Sequence, residues 1–184
     1  MKHFIALCPD AQTRDRLAAM SLRFQAWGLP ANWVHTEDFH LTLAFVGECT
    51  DVEIDGIRYA LDGGASGLSR LSVPMQGLFI TGGTTLPKVV AVAVQDSSEH
   101  LQGLVSDMFD ILGMPPEKRF SPHITLGRPK PGPMPAERSW PQFFEAFGLG
   151  DWGQCHFDSI AFFQSRSAPQ GGPKYHAVWC AELL

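Results

Sequence analysis

A chain of 184 residues with 45% hydrophobic and 18% charged content has the composition of a folded globular protein, able to bury one sizeable core or two small adjoining ones. A net charge of -5 and a pI near 5.7 argue against a protein that grips long duplex nucleic acid through summed phosphate contacts, leaving small anions and strand ends as candidate ligands. The apolar run at the N-terminus is too short for a signal-peptide core and no stretch approaches a membrane span, so a cytoplasmic protein without membrane association is expected.

In chain order, His3 to Cys8 reads as a strand and Asp10 to Trp27 as a helix, with Leu17, Met20, Leu22, Phe24 and Trp27 supplying its apolar faces and Gly28 and Pro30 ending it. Asn32 to Val34 is a brief strand, and His40 to Val46 a stronger one punctuated by Gly47. A second helix is expected across Asp51 to Leu61, followed by loop from Gly63 to Gly67. Leu71 to Ile80 and Lys88 to Val94 read as paired strands joined through Thr81-Gly82-Gly83-Thr84. Ser97 to Leu112 has helical spacing of Leu101, Leu104, Val105, Met108, Ile111 and Leu112, with Ser97 or Ser98 as cap. A strand from His123 to Gly127, a proline-rich loop from Pro129 to Pro135, and a short helix near Trp140 to Phe147 follow. Two strands near Phe157 to Phe163 and Tyr175 to Ala181 close the chain, with Gly171-Gly172-Pro173 turning between them.

The tetrapeptide His-x-Thr-Leu occurs twice, as His40-Leu41-Thr42-Leu43 and His123-Ile124-Thr125-Leu126. In a strand, positions i and i+2 share a face, so His40 points with Thr42 and His123 with Thr125, while Leu41, Leu43, Ile124 and Leu126 face a core. The repeat extends outward: strand, helix, connector and motif recur in the same order, with 36 positions from Phe4 to His40 and 33 from Val90 to His123. Common ancestry of the halves implies a pseudo-twofold axis with the motifs beside it, and one site built from two equivalent parts.

Two imidazoles suit paired acid and base catalysis, because an ordinary histidine pKa of about 6.5 lets one ring hold a proton while another accepts one near neutral pH. Opening a cyclic phosphodiester, or its reversal, needs both transfers on opposite sides of a tetrahedral centre. The threonine hydroxyls can donate to non-bridging phosphate oxygens, where charge concentrates in the transition state. No metal is required, and His-x-Thr offers no carboxylate or second imidazole at ligand spacing. The cysteines Cys8, Cys49, Cys155 and Cys180 form no Cys-x-x-Cys pair and read as buried free thiols. Lys118, Arg119, Arg128 and Lys130 bracket the second motif within an otherwise acidic chain. Of the remaining histidines, His3, His35, His100, His156 and His176 have no matching partner and read as surface or structural residues, and Ser165-Arg166-Ser167 as a solvated turn.

With these residues in hand, the sequence resembles the 2H phosphoesterase superfamily, and within it the bacterial and archaeal RNA 2',3'-cyclic phosphodiesterases, also called 2',5' RNA ligase-like proteins. The resemblance covers nearly the whole chain: Phe4-Ile5-Ala6-Leu7, the Trp33 strand, the run from His40 to Glu48, and Ser121-Pro122 continuing through the second motif to Gly127-Arg128. It implies an α+β fold, bilobal and pseudo-twofold, with two antiparallel sheets around a central cleft and helices outside, the whole chain forming one domain. It implies metal-independent, cofactor-free hydrolysis of RNA or nucleoside 2',3'-cyclic phosphate ends to 2'-phosphates. By similarity His40 is the acid and His123 the base, Thr42 and Thr125 hold the phosphate, and Arg128 contacts it or the neighbouring nucleotide. Arg128 and Phe45 each stand five positions after their histidine, an odd offset that strict alternation sends to the opposite face. A bulge or twist near the strand end would re-aim both to flank a terminal base, although a core position is the ordinary expectation for Phe45. The expected partners are RNA ends or small cyclic nucleotides, and the expected state is a monomer. A non-catalytic nucleotide-binding module and a reversible 2',5' RNA ligase are the competing readings. Departures from the family pattern, Lys2-His3 before the first apolar run and Val90-Ala91 where an aromatic is common, bear on substrate fit.

Overall fold

The computed structural model describes residues 1–65, 67–115, 119–168 and 171–184. Among them, eight strands and four α-helices follow one another along the chain: β1 (Lys2–Pro9), α1 (Ala11–Gln25), β2 (Ala31–Trp33), β3 (Leu41–Glu48), α2 (Asp51–Gly64), β4 (Leu71–Thr81), β5 (Val89–Val94), α3 (His100–Leu112), β6 (His123–Pro129), α4 (Trp140–Phe147), β7 (Asp151–Ser165) and β8 (Tyr175–Glu182). The α+β class expected from the sequence is the one observed.

Local chemistry sets the helix ends. The Asp10 side chain caps α1 by accepting from the Thr13 N–H at 2.7 Å, and Leu17, Met20 and Phe24 bury one stripe of that helix. Leu22, expected on the apolar face, lies off the stripe and is 65% exposed. In α2, Thr50 and Glu53 form a reciprocal capping box, and the helix runs through Gly63 to Gly64, where a loop was expected. A Cβ at Gly64 would fall 2.5 Å from Ile111 Cδ1, so the glycine lets α2 lie close against α3. The start of α3 also differs: it begins at His100, and the Asp96 carboxylate, rather than Ser97 or Ser98, accepts the Leu101 and Gln102 N–H groups at 3.0 and 2.8 Å. A carboxylate with two oxygens satisfies two orphan donors where a hydroxyl satisfies one.

All strand pairings are antiparallel, in the order β1-β3-β6-β5-β4-β7-β8, with β2 added to β6 and β1 also paired to β7. The two sheets anticipated around the cleft are therefore joined into one hydrogen-bonded circuit. One joint is slender, the single pair Leu41 and Ile124 between β3 and β6. The other is β7, whose early residues pair with β4 and whose later residues pair with β1 and β8. This strand starts at Asp151, six positions before the expected Phe157: its first part pairs with β4, but from Asp151 to His156 it buries only Cys155 and leaves no apolar run in the sequence to mark it. The strand β1 lies between β3 and β7 and is buried along most of its length, which accounts for its continuous Phe4-Ile5-Ala6-Leu7 run. Beneath the sheet, α1, α3 and α4 contribute Leu17, Phe24, Leu101, Met108 and Phe143 to a core shared with Ile5, Leu41, Val92, Ile124 and Phe162.

His3, read as structural, is buried, with Nδ1 donating to the Gly47 carbonyl and Nε2 facing the Gln164 amide at 3.1 Å. Of the cysteines, only Cys155 is fully buried; Cys8 and Cys49 are half-buried and Cys180 is exposed. Burial pushes the Cys8 thiol up to about 11 and raises Cys155 and Cys49, so none of these three is a poised thiolate.

Candidate active site

The cleft opens where β3 meets β6. Antiparallel pairing of Leu41 with Ile124 sets His40 across from Thr125 and Thr42 across from His123, so the two motifs run past each other with all four polar side chains on one face. Those four groups line a single cavity of about 320 Å³ together with Phe45, Arg128, Phe4, Phe79, Arg119 and Tyr175. His40 itself stands one residue ahead of β3 rather than inside it, just after the turn of 3₁₀ helix formed by Thr36–Asp38.

The two rings are held identically. His40 Nδ1 lies 2.6 Å from the Asp38 carbonyl and His123 Nδ1 lies 2.7 Å from the Ser121 carbonyl. A carbonyl only accepts, so each Nδ1 carries the proton, and each Nε2 is left for a ligand. Aromatic rings fix the orientation further: Phe79 stacks on His123 with centroids 4.2 Å apart, while Phe4 and the edge of Tyr175 meet His40 at 4.8 and 5.1 Å.

The odd offset of Phe45 and Arg128 is resolved by a bulge at the same place in each strand. On β3 the register passes from Ala44 to Thr42 against consecutive residues of β1, leaving Leu43 extra; on β6 it passes from Gly127 to Thr125, leaving Leu126 extra. The inserted residue shifts the alternation by one, so Leu43-Ala44 and Leu126-Gly127 are both buried and the fifth position after each histidine returns to the cleft face. Phe45 is 62% exposed, which overturns the core position expected for it, and Arg128 is exposed at the same level of the opposite strand.

Electrostatically the cleft is cationic. None of the side chains lining it is acidic, and neither Arg119 nor Arg128 forms an ion pair among the described residues. Lys130 lies away from the cavity lining, and Lys118 lies outside the described residues. Burial among aromatic rings pushes the His40 imidazole down to about 4, against the raising influence of the Asp38 carbonyl bond and carboxylate; the His123 and Arg128 charges lower it further. Burial likewise lowers His123, with Arg128 adding to the effect and the Ser121 bond opposing it. Both rings are therefore neutral in the free protein at pH 7.

Sequence reasoning missed Asp38. Its side chain is 5% exposed and accepts the N–H groups of Lys174 and Tyr175 at 2.8 and 3.1 Å, while its own carbonyl holds His40. It thus ties the start of β8, and the Tyr175 ring, to the first histidine. The equivalent position in the second motif is Ser121, which brings no carboxylate to His123. Phe4, Phe79 and Tyr175 were also missed as cleft residues.

A family model described as LigT like Phosphoesterase matches residues 7–92. An RNA 2',3'-cyclic phosphodiesterase from Aeropyrum pernix is 32% identical over 171 residues, covering 89% of this chain and 93% of the relative. The fold superposes on TT0787 of Thermus thermophilus with a TM-score of 0.74 at 21% identity, covering 100% of this chain and 98% of that one. It superposes on E. coli LigT complexed with 3'-AMP with a TM-score of 0.69 at 19% identity, covering 99% and 97%. The chain belongs to the LigT-like phosphoesterase family of the 2H phosphoesterase superfamily.

Proposed function

We propose that the chain hydrolyses 2',3'-cyclic phosphate ends of RNA or nucleosides to 2'-phosphates, with His40 and His123 as paired acid and base and without a metal ion. The observation that carries this reading is the matched pair of Nδ1–carbonyl bonds, which leaves two Nε2 atoms free over one cleft. The name of the Aeropyrum pernix relative and the nucleotide bound to E. coli LigT support the substrate class. The chain is read as one monomeric domain of two pseudo-symmetric lobes, each giving one His-x-Thr-Leu motif to the cleft.

In this scheme the cyclic phosphate sits between the rings, its non-bridging oxygens accepting from Thr42 and Thr125, with Arg128 compensating the charge. His123 Nε2 takes a proton from the attacking water as the oxygen bonds to phosphorus. His40 Nε2–H gives a proton to O3' as the P–O3' bond breaks, and the O2'–P bond survives in the product. Asp38 works toward this polarity, its carboxylate raising the His40 imidazole against the burial that lowers it while His123 has no such neighbour, and the bound phosphate must supply the rest of the stabilisation that protonates His40. Phe45 and Arg128, brought to the cleft by the paired bulges, flank the terminal base.

The free-enzyme pH dependence follows from the lowered imidazoles. A lowered pKa means the proton is lost at lower pH, so the form with one ring protonated and one neutral is most abundant below the ordinary histidine value of about 6.5. The kcat/KM profile is expected to be bell-shaped with its maximum below about pH 6.5. A monotonic profile, or an acid limb centred above about pH 7, would contradict paired roles for these rings.

The decisive assay is incubation with a panel of 2',3'-cyclic nucleotides and cyclic-phosphate-ended RNA in excess chelator, with the product resolved by ³¹P NMR. Full turnover to the 2'-phosphate is expected. Loss of activity with the chelator would remove the metal-free scheme, and absence of turnover under all conditions would favour a nucleotide-binding module.

A further inference from the structure

A second cavity, of about 400 Å³, adjoins the first and shares the side chains Val34, Arg128 and Tyr175 with it. Its walls combine three features suited to a nucleotide. The Trp33 ring rests directly on Gly127, where a Cβ would fall 2.8 Å from Cε3, so the indole is held as a rigid platform. His35 accepts the Glu37 N–H at its Nδ1, which leaves Nε2–H as a donor. The Lys174 ammonium is exposed and has no hydrogen-bond or ion-pair partner among the described residues.

Charge continuity links the two cavities. Arg119 and Arg128 line the first, and Arg128 and Lys174 line the second, all three unpaired among the described residues of a chain whose net charge is -5. The one acidic side chain on the second wall, Asp38, already has both oxygens occupied by backbone N–H groups. An isolated cyclic nucleotide bears a single phosphate and needs only the first cavity. A run of unpaired cations across two adjoining hollows fits a ligand whose phosphates continue past the reacting end.

We propose that the second cavity is a subsite for the penultimate ribonucleotide of single-stranded RNA, with its base against Trp33 and the phosphodiester linking it to the terminal nucleotide between Arg128 and Lys174. This rests on the cyclic-end hydrolase reading of the first cavity, and it makes the natural substrate an oligonucleotide end rather than a free cyclic mononucleotide. Phosphate contacts position the strand, and stacking on an indole accepts any base, so the subsite extends affinity without fixing sequence.

The test compares the binding of a trinucleotide RNA ending in a 2'-phosphate with that of the corresponding nucleoside 2'-phosphate, for the wild type and for Lys174→Gln. The trinucleotide is expected to bind roughly 10-fold tighter or more, the range of one stacked base. Lys174→Gln should reduce that advantage, leave the mononucleotide affinity unchanged, and flatten the salt dependence of trinucleotide binding by about 0.7 in log–log slope, the value for one phosphate contact on a single strand. Equal affinities for the two ligands, or a variant that weakens both alike or neither, would overturn the subsite. Because the readout is binding of product-ended ligands, failure of the hydrolytic reading appears separately, as absence of turnover of cyclic ends.

Discussion

Replacing either His40 or His123 with alanine is expected to lower turnover of a 2',3'-cyclic nucleotide by about 10²- to 10⁴-fold, the usual range for losing one acid or base. The fold should survive, because each ring is only half-buried, at the edge of the cleft, and its removal leaves Leu41 and Ile124 paired. Steady-state kinetics on variants with wild-type circular dichroism tests this. Since both proton transfers belong to one step, the double variant should be little worse than the poorer single variant. Near-native turnover in either single variant would remove that histidine from the chemistry.

Asp38→Ala should have the second largest consequence, and it should be felt in stability and in rate together. The substitution leaves the Lys174 and Tyr175 N–H groups without their acceptor in a half-buried setting. Two unsatisfied donors cost about 3 kcal/mol, which for a chain of this size lowers Tm by roughly 10 °C. The Tyr175 edge would no longer be held against His40, and a misplacement of this kind lowers kcat by about 10- to 10²-fold. Asp38→Asn retains one acceptor oxygen and should lose about half as much Tm. It also removes the negative charge that favours the His40 imidazolium, so the alkaline limb of the kcat profile should move to lower pH. A change in Tm with no movement of that limb would make Asp38 a structural residue only.

Much of this site was legible because its chemistry is local. The motif histidines and threonines sit two residues apart on strands, and a period of two fixes their common face without tertiary information. The first strand and the apolar stripes of α1 and α3 were legible for the same reason, since burial imprints a period on the sequence. What could not be read depends on pairing between distant segments. The odd offset of Phe45 and Arg128 calls for a bulge or twist, but its place at Leu43 and Leu126 has no marker of its own; it arises from register against β1 and β5, and only then do the two side chains turn into the cleft. Asp38 reads as an ordinary acidic residue before a strand until β8 brings two N–H groups to it. Phe79, 44 positions before His123, similarly reads as an apolar strand residue until β4 and β5 pair and bring it over the ring. The early part of β7 escaped notice because most of its side chains are not buried.

The paired bulges also bear on how such a cleft is built. Each strand uses its pleat twice: the first two cleft residues come from plain alternation, and the third comes from the register slip. A stretch of six residues thereby sends three side chains to one face while burying the three between them. Glycine at position 127 is part of the device on β6, because the Trp33 ring occupies the space where a side chain would project.

The most direct test is a crystal structure of the protein with a nucleoside 2'-phosphate bound. Paired acid and base roles predict one phosphorus group in the cleft with His40 Nε2 and His123 Nε2 each within about 2.6–3.2 Å of a different one of its oxygens, from opposite sides. A phosphate seated elsewhere, or touched by one imidazole while the other turns away, would contradict them.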